Sequence, residues 1–161
     1  MTPPKCSLLK GDEVSDPKLG EAFWQLCYIV GVEEQRWLRQ AEKDLESARD
    51  SSKAEHYEWA CFQSQQAAEK ALKAFLYSKG LRAILTHSIR DLILDCSKYE
   101  KDFSNLLSRG KTLDGYYAST RYPDSLVGNE IPAHYYSEED ANRCISYAES
   151  ILRTVTRFMS S

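Results

Sequence analysis

The sequence predicts an all-α fold, an up-and-down helical bundle of about five helices, with or without an extra helix at the N-terminus. Three observations predict it. Apolar residues recur at helical spacing, as in Leu38, Ala41, Leu45 and Ala48, while Lys43, Glu46 and Arg49 take the other side. Two Ser-x-x-acid sequences, Ser52 with Glu55 and Ser137 with Asp140, have the form of capping boxes that open helices. No stretch alternates apolar and polar residues as a half-buried strand would.

The elements follow in order. Residues 1–17 carry Pro3, Pro4, Gly11 and Pro17 without any period, the pattern of a tail. Residues 18–31 allow a short apolar helix that stops at Gly31. On this reading residues 1–32 are an N-terminal extension or linker, and 33–161 are the folded domain. The helix bearing Leu38 comes next. The Ser52 box then opens a long helix over about 53–79, for which Gly80 is the natural stop. Its alanines 67, 68, 71 and 74 let a neighbouring helix approach closely, while Leu72, Phe75 and Leu76 supply bulk. Thr86 and Ser88 cap a third helix with Ile89, Leu92, Ile93 and Cys96. A fourth spans about 102–120, weakened or kinked at Gly110. Residues 121–136 read as a loop. The Ser137 box opens the last helix, whose expected seam is Ala141, Ile145, Ala148, Leu152, Val155 and Met159.

Composition narrows the function. The 161 residues suit one domain, and 42% hydrophobic with 28% charged residues is ordinary for a globular protein. A net charge of −3 argues against a DNA-coating role, so no strong nucleic-acid binding is expected. No apolar run approaches the ~20 residues of a membrane span. The five cysteines lie far apart without a CxxC pair, which disfavours zinc and fits a reducing, cytoplasmic setting. His56, His87 and His134 are the only histidines. None sits in a nucleophile elbow, an HExxH or a repeated Glu-x-x-His pattern, and no P-loop or GxGxxG occurs.

The candidates that remain are cationic and aromatic. Lys70 and Lys73 lie one turn apart on the long helix, with Glu69 at i,i+4 to Lys73. They are either a solvated stripe or anion donors. His87 and Arg90 open the third helix, where free amides favour a phosphate; the plainer reading is that His87 caps or packs. The stretch "LDGYYASTRYPD" concentrates Tyr116, Tyr117, Arg121 and Tyr122. Pro123 forces Tyr122 into an extended conformation, so the fourth helix ends near Arg121. One reading is a helix stop with an Arg121–Asp124 clamp. The other is a nucleotide site, with a base stacked on tyrosine and a phosphate held by the guanidinium fork.

Four segments, "WLRQAEKDLESAR", "YEWACFQSQQAAEKALKAFLYSKG", "THSIRDLI" and "TRYPD", occur in this order. Together they resemble the HEPN domain, the higher eukaryotes and prokaryotes nucleotide-binding domain, over about Glu33 to Met159. The set is similar above all to the sacsin-like branch, found in a large chaperone-related protein. The resemblance implies a five-helix bundle, a two-fold homodimer, and one of two activities. Sacsin-like members are nucleotide-binding and dimerising modules, with a purine nucleotide (GTP or ATP) as ligand and no cofactor required. Many prokaryotic members are ribonucleases or toxins paired with a small nucleotidyltransferase, and carry an R-x4-6-H motif. Here Arg82 and His87 match that spacing only in a loop, and Arg121 has no histidine until His134. The expected function is therefore a non-catalytic binding module, with a chaperone or nucleotidyltransferase as its other partner.

Overall fold

The computed structural model describes the backbone of residues 17–160 and the side chains of residues 32–160. The expected tail of residues 1–16 lies outside the described residues. Among the described residues there are six α-helices: α1 (Pro17–Lys53), α2 (Tyr57–Ser78), α3 (Ile89–Ser97), α4 (Leu107–Asp114), α5 (Pro132–Tyr135) and α6 (Glu138–Met159). Among the described residues no strand occurs, and no helix is long and apolar enough to cross a membrane.

The helix α1 is 37 residues long and runs unbroken through Gly31, so Gly31 is not the expected stop. At 1.5 Å per residue it is about 55 Å long. Its C-terminus also corrects the sequence reading. The Ser52–Glu55 box does not form, and α2 begins at Tyr57 with His56 as an N-cap that makes no side-chain bond. Instead the His56 amide donates to the Ser51 carbonyl at 2.9 Å and the Glu55 amide to the Ser52 carbonyl at 3.1 Å. Glu55 itself adopts φ 63°. This is a Schellman ending of α1 with glutamate in the left-handed position usually held by glycine. The same motif closes α2, now with the expected glycine. Leu81 donates to the Leu76 carbonyl, Gly80 donates to the Tyr77 carbonyl, and Gly80 has φ 91°.

The core lies where α2 packs against α1, α6 and α3. Ala67, Ala68, Ala71 and Ala74 are fully buried, as their small size suggested, beside Leu72, Phe75 and Leu76. On α6 the buried line is Ala141, Cys144, Ala148, Ile151 and Val155. Ile145, Leu152 and Met159 flank it half-buried, so the expected seam is rotated by part of a turn. The Ser137–Asp140 box forms in full.

The expected fourth helix is divided. Lys101–Leu106 is a 3-10 segment, α4 spans Leu107–Asp114, and residues 115–121 are turns. Gly110 does not kink α4. A Cβ there would meet Ile93 Cδ1 at 2.5 Å and Ile89 Cγ2 at 3.1 Å, so the missing side chain is what lets α4 sit against α3. Beyond Asp114, Ser119 and Thr120 hydroxyls donate to carbonyls four residues back, at 2.7 Å each. The segment Pro123–Ser125 and the one-turn α5 then occupy the loop that joins α4 to α6.

Candidate functional site: a cation–aromatic surface

Arg121 lies seven positions beyond the end of α4, so its charge does not complement that helix terminus. Its Nε and Nη2 donate to the Tyr117 carbonyl at 3.0 and 2.7 Å. Its guanidinium carbon lies 4.3 Å from the Phe62 ring centroid, 4.9 Å from Tyr117 and 5.0 Å from Tyr122. These contacts take the place of the expected Asp124 clamp. Three rings and one carbonyl fix the cation on the surface, and its planar face suits such stacking better than an ammonium would.

Tyr116 and Tyr117 point in different directions, as adjacent residues in a turn must. Tyr116 is buried. Its hydroxyl accepts from Arg143 Nη2 at 2.9 Å and lies 3.5 Å from Asp140 Oδ1, which ties the turn to α6. Burial pushes the Tyr116 phenol up to about 12, against the opposing effect of Arg143. Tyr117 stacks on His87, with centroids 5.7 Å apart and planes 18° apart. His87 is 58% exposed, and its Nδ1 lies 2.9 Å from Glu69 Oε1.

Glu69 is the hub behind this surface. Its carboxylate is buried and also accepts from Lys73 Nζ at 2.9 Å; Gln65 and Gln66 reach its other oxygen at 3.5 and 3.4 Å. A buried carboxylate with several donors is the arrangement that makes burial tolerable. The lysines are thus neither the solvated stripe nor the free anion donors that the sequence offered. Lys73 is buried against Glu69 and Trp37, and Lys70 reaches across to Asp44 of α1 at 2.5 Å.

The amides that open α3 are also occupied. Ile89 and Arg90 donate theirs to Asp114 at 2.5 and 3.1 Å, and the Ser88 hydroxyl accepts from the Asp91 amide. A carboxylate of the chain thus fills the expected phosphate position. The Arg90 side chain pairs with Asp91 and stands apart from the cluster.

Of the eight candidate residues, His87, Tyr117, Arg121 and Tyr122 come together; Lys73 joins them only through Glu69, Tyr116 ties the turn to α6, and Lys70 and Arg90 go elsewhere. The sequence reading missed Phe62 and the hub role of Glu69. Glu69 was visible as the i,i+4 partner of Lys73, but Phe62 carried no local signal. Among the described residues no group of three or more His, Cys, Asp or Glu could hold a metal ion.

The relatives of this helical bundle define its class. The sequence profile of the HEPN domain matches residues 34–158. The chain belongs to the HEPN family. It is 30% identical over 130 residues to the candidate toxin MJ1304 of Methanocaldococcus jannaschii, covering 76% of this chain and 86% of that protein. It is 28% identical over 158 residues to human sacsin, covering 91% of this chain but only 4% of sacsin. Among solved structures, TT1696 from Thermus thermophilus superposes with a TM-score of 0.73 at 37% identity, over 77% of this chain and 96% of that one. ST0689, an archaeal HEPN homologue, gives 0.64 at 39% identity, over 76% and 94%.

Proposed function

We propose that this HEPN domain is a non-catalytic nucleotide-binding and dimerisation module, and that its ligand site is the surface of Arg121, Tyr117, His87 and Tyr122. The ligand is a purine nucleotide, GTP or ATP, bound without a cofactor. The observation that supports this most is the state of Arg121. Its two hydrogen bonds use Nε and Nη2. Nη1 is left to meet a phosphate oxygen, and each such charge-assisted bond contributes ~1.5–3 kcal/mol. Tyr122 is 51% exposed and offers a ring on which a base can stack. Calorimetric titration of the protein with ATP and GTP, run beside an RNA-cleavage control, tests the reading. Saturable binding without cleavage is expected; no heat from either nucleotide at millimolar concentration would contradict it.

Dimerisation rests on α6. Leu152, Phe158 and Met159 pack on the core yet remain half-buried within one chain, and Leu152 lines a groove of about 550 Å³ whose other walls include Arg49, Glu149, Arg153 and Arg157. Sedimentation at micromolar concentration should give a dimer. A nucleotidyltransferase or a chaperone assembly is the further partner that the family resemblance implies, in the reducing cytoplasmic setting that buried free Cys61, Cys96 and Cys144 suit.

One observation favours a second reading, a ribonuclease or toxin component. The buried Glu69 carboxylate holds His87 by Nδ1 while the side chain is 58% exposed; in the tautomer whose Nδ1–H donates to Glu69, Nε2 is the nitrogen left to accept a proton. Cleavage of single-stranded RNA that disappears in His87→Ala would select this reading.

A further inference from the structure

Lys70 and Lys73 turn toward α1, where Lys70 meets Asp44 and Lys73 meets Trp37. Lys73 Nζ lies 5.7 Å from the indole centroid, and Tyr77 approaches the same ring at 5.5 Å. The indole is thereby held from the α2 side, yet it is only half-buried. Trp37, Lys70, Arg36, Gln40 and Glu33 line a groove of about 370 Å³, open to solvent. That volume falls within the range of small-molecule sites.

The donors in the groove are prearranged. Asp44 accepts from Lys70 at 2.5 Å and from Gln40 at 2.7 Å, so one carboxylate fixes both side chains along the groove. Lys70 also donates to Gln66 at 3.1 Å, which leaves one of its three protons unused. Arg36 is exposed at the rim. Among the described lining residues Lys70 is paired with Asp44, so the exposed Arg36 and the unused Lys70 proton are the donors that an anion would meet. A cation against the indole polarises the ring and favours an electron-rich ring stacked upon it.

We propose that this groove is a second binding site, for a small aromatic anion no larger than a nucleoside monophosphate. The ring lies on Trp37, and the anionic group meets Arg36 and Lys70. The site is independent of Arg121, so either can fail without the other.

The chain has three tryptophans, Trp24, Trp37 and Trp59. In the 161-residue chain carrying Trp24→Phe and Trp59→Phe, Trp37 is the only indole. Titration with AMP should quench its fluorescence saturably. Adenosine alone and inorganic phosphate alone should each bind about tenfold or more weakly, and Arg36→Glu or Lys70→Ala should weaken AMP by about tenfold. Arg36→Glu alters an exposed side chain and remains readable if Lys70→Ala fails to fold. Arg121→Ala should leave the quenching curve unchanged. The proposal is overturned by the absence of saturable quenching, by inorganic phosphate matching AMP, or by quenching that survives Arg36→Glu and vanishes in Arg121→Ala.

Discussion

The guanidinium carbon of Arg121 lies 4.3 Å from the ring centroid of Phe62, a residue of α2 that is 59 positions away in sequence. This contact docks the turn after α4 onto α2 and holds the cation ready on the surface. It predicts a specific dependence on the ring. Phe62→Leu should keep the fold but weaken nucleotide binding by a few fold, because a cation–aromatic contact at a partly exposed site contributes ~0.5–1 kcal/mol. Calorimetry on the folded variant checks this.

Glu69 and Lys73 form a buried pair, with side chains 6% and 5% exposed. Glu69→Leu alone should destabilise the domain by roughly 3 kcal/mol, because it strands the Lys73 ammonium. Glu69→Leu combined with Lys73→Met removes both charges and should recover most of that loss. Urea unfolding of both variants decides it; a double variant as unstable as the single one would count against the pairing argument.

Gly110 gives a packing prediction. Alanine is the better helix former by ~1 kcal/mol, yet its Cβ would press on Ile93 and Ile89 in the α3–α4 contact. Overpacking of that kind costs ~1–3 kcal/mol. Gly110→Ala should therefore lower the melting temperature, and a rise would show that α3 and α4 separate easily.

Glu55 gives the opposite sign. It holds φ 63° at the end of α1, where a side chain costs ~1–2 kcal/mol and glycine loses mainly unfolded-state entropy. Glu55→Gly should stabilise the domain by about 0.5–1 kcal/mol in thermal unfolding, with no effect on ligand affinity.

Asp140 sets an acid limit. Burial alone would raise its pKa, but the Ser137 amide and hydroxyl, Arg143 and the Tyr116 hydroxyl together lower it below the ordinary value. Its stabilising contribution is therefore complete above the unfolded aspartate value near ~3.9 and is lost as pH falls through the lower folded value. Asp140→Asn should cost about 1 kcal/mol at pH 7, as the loss of a helix cap does, and progressively less below about pH 4. Parallel acid titrations of stability for the two proteins check the convergence.

Local signals were legible in the sequence. Gly80 closes α2 and Ser137 opens α6 because each needs only its neighbours within one helical turn. The Ser52–Glu55 box had an equally valid local form. It lost to the Schellman ending of α1, which uses the same residues and satisfies two carbonyls. The site was half legible for the same physical reason. "TRYPD" announced a cation beside tyrosines, but its true partners are set by packing across the bundle: Phe62 for Arg121, and Glu69 for His87. The rotation of the α6 seam, which buries Ile151 rather than Ile145, likewise depends on how α2 lies against it.

The central claim is that Arg121 serves a ligand rather than the fold alone, and one variant tests it when two quantities are measured together. Arg121→Ala should weaken ATP or GTP binding by ~10–100-fold in calorimetry while the protein stays folded at the assay temperature, and Arg121→Lys should recover only part of the loss. Unchanged nucleotide affinity in a folded Arg121→Ala protein, with only its melting temperature reduced, would contradict the account and make the stacked guanidinium a clamp for the turn.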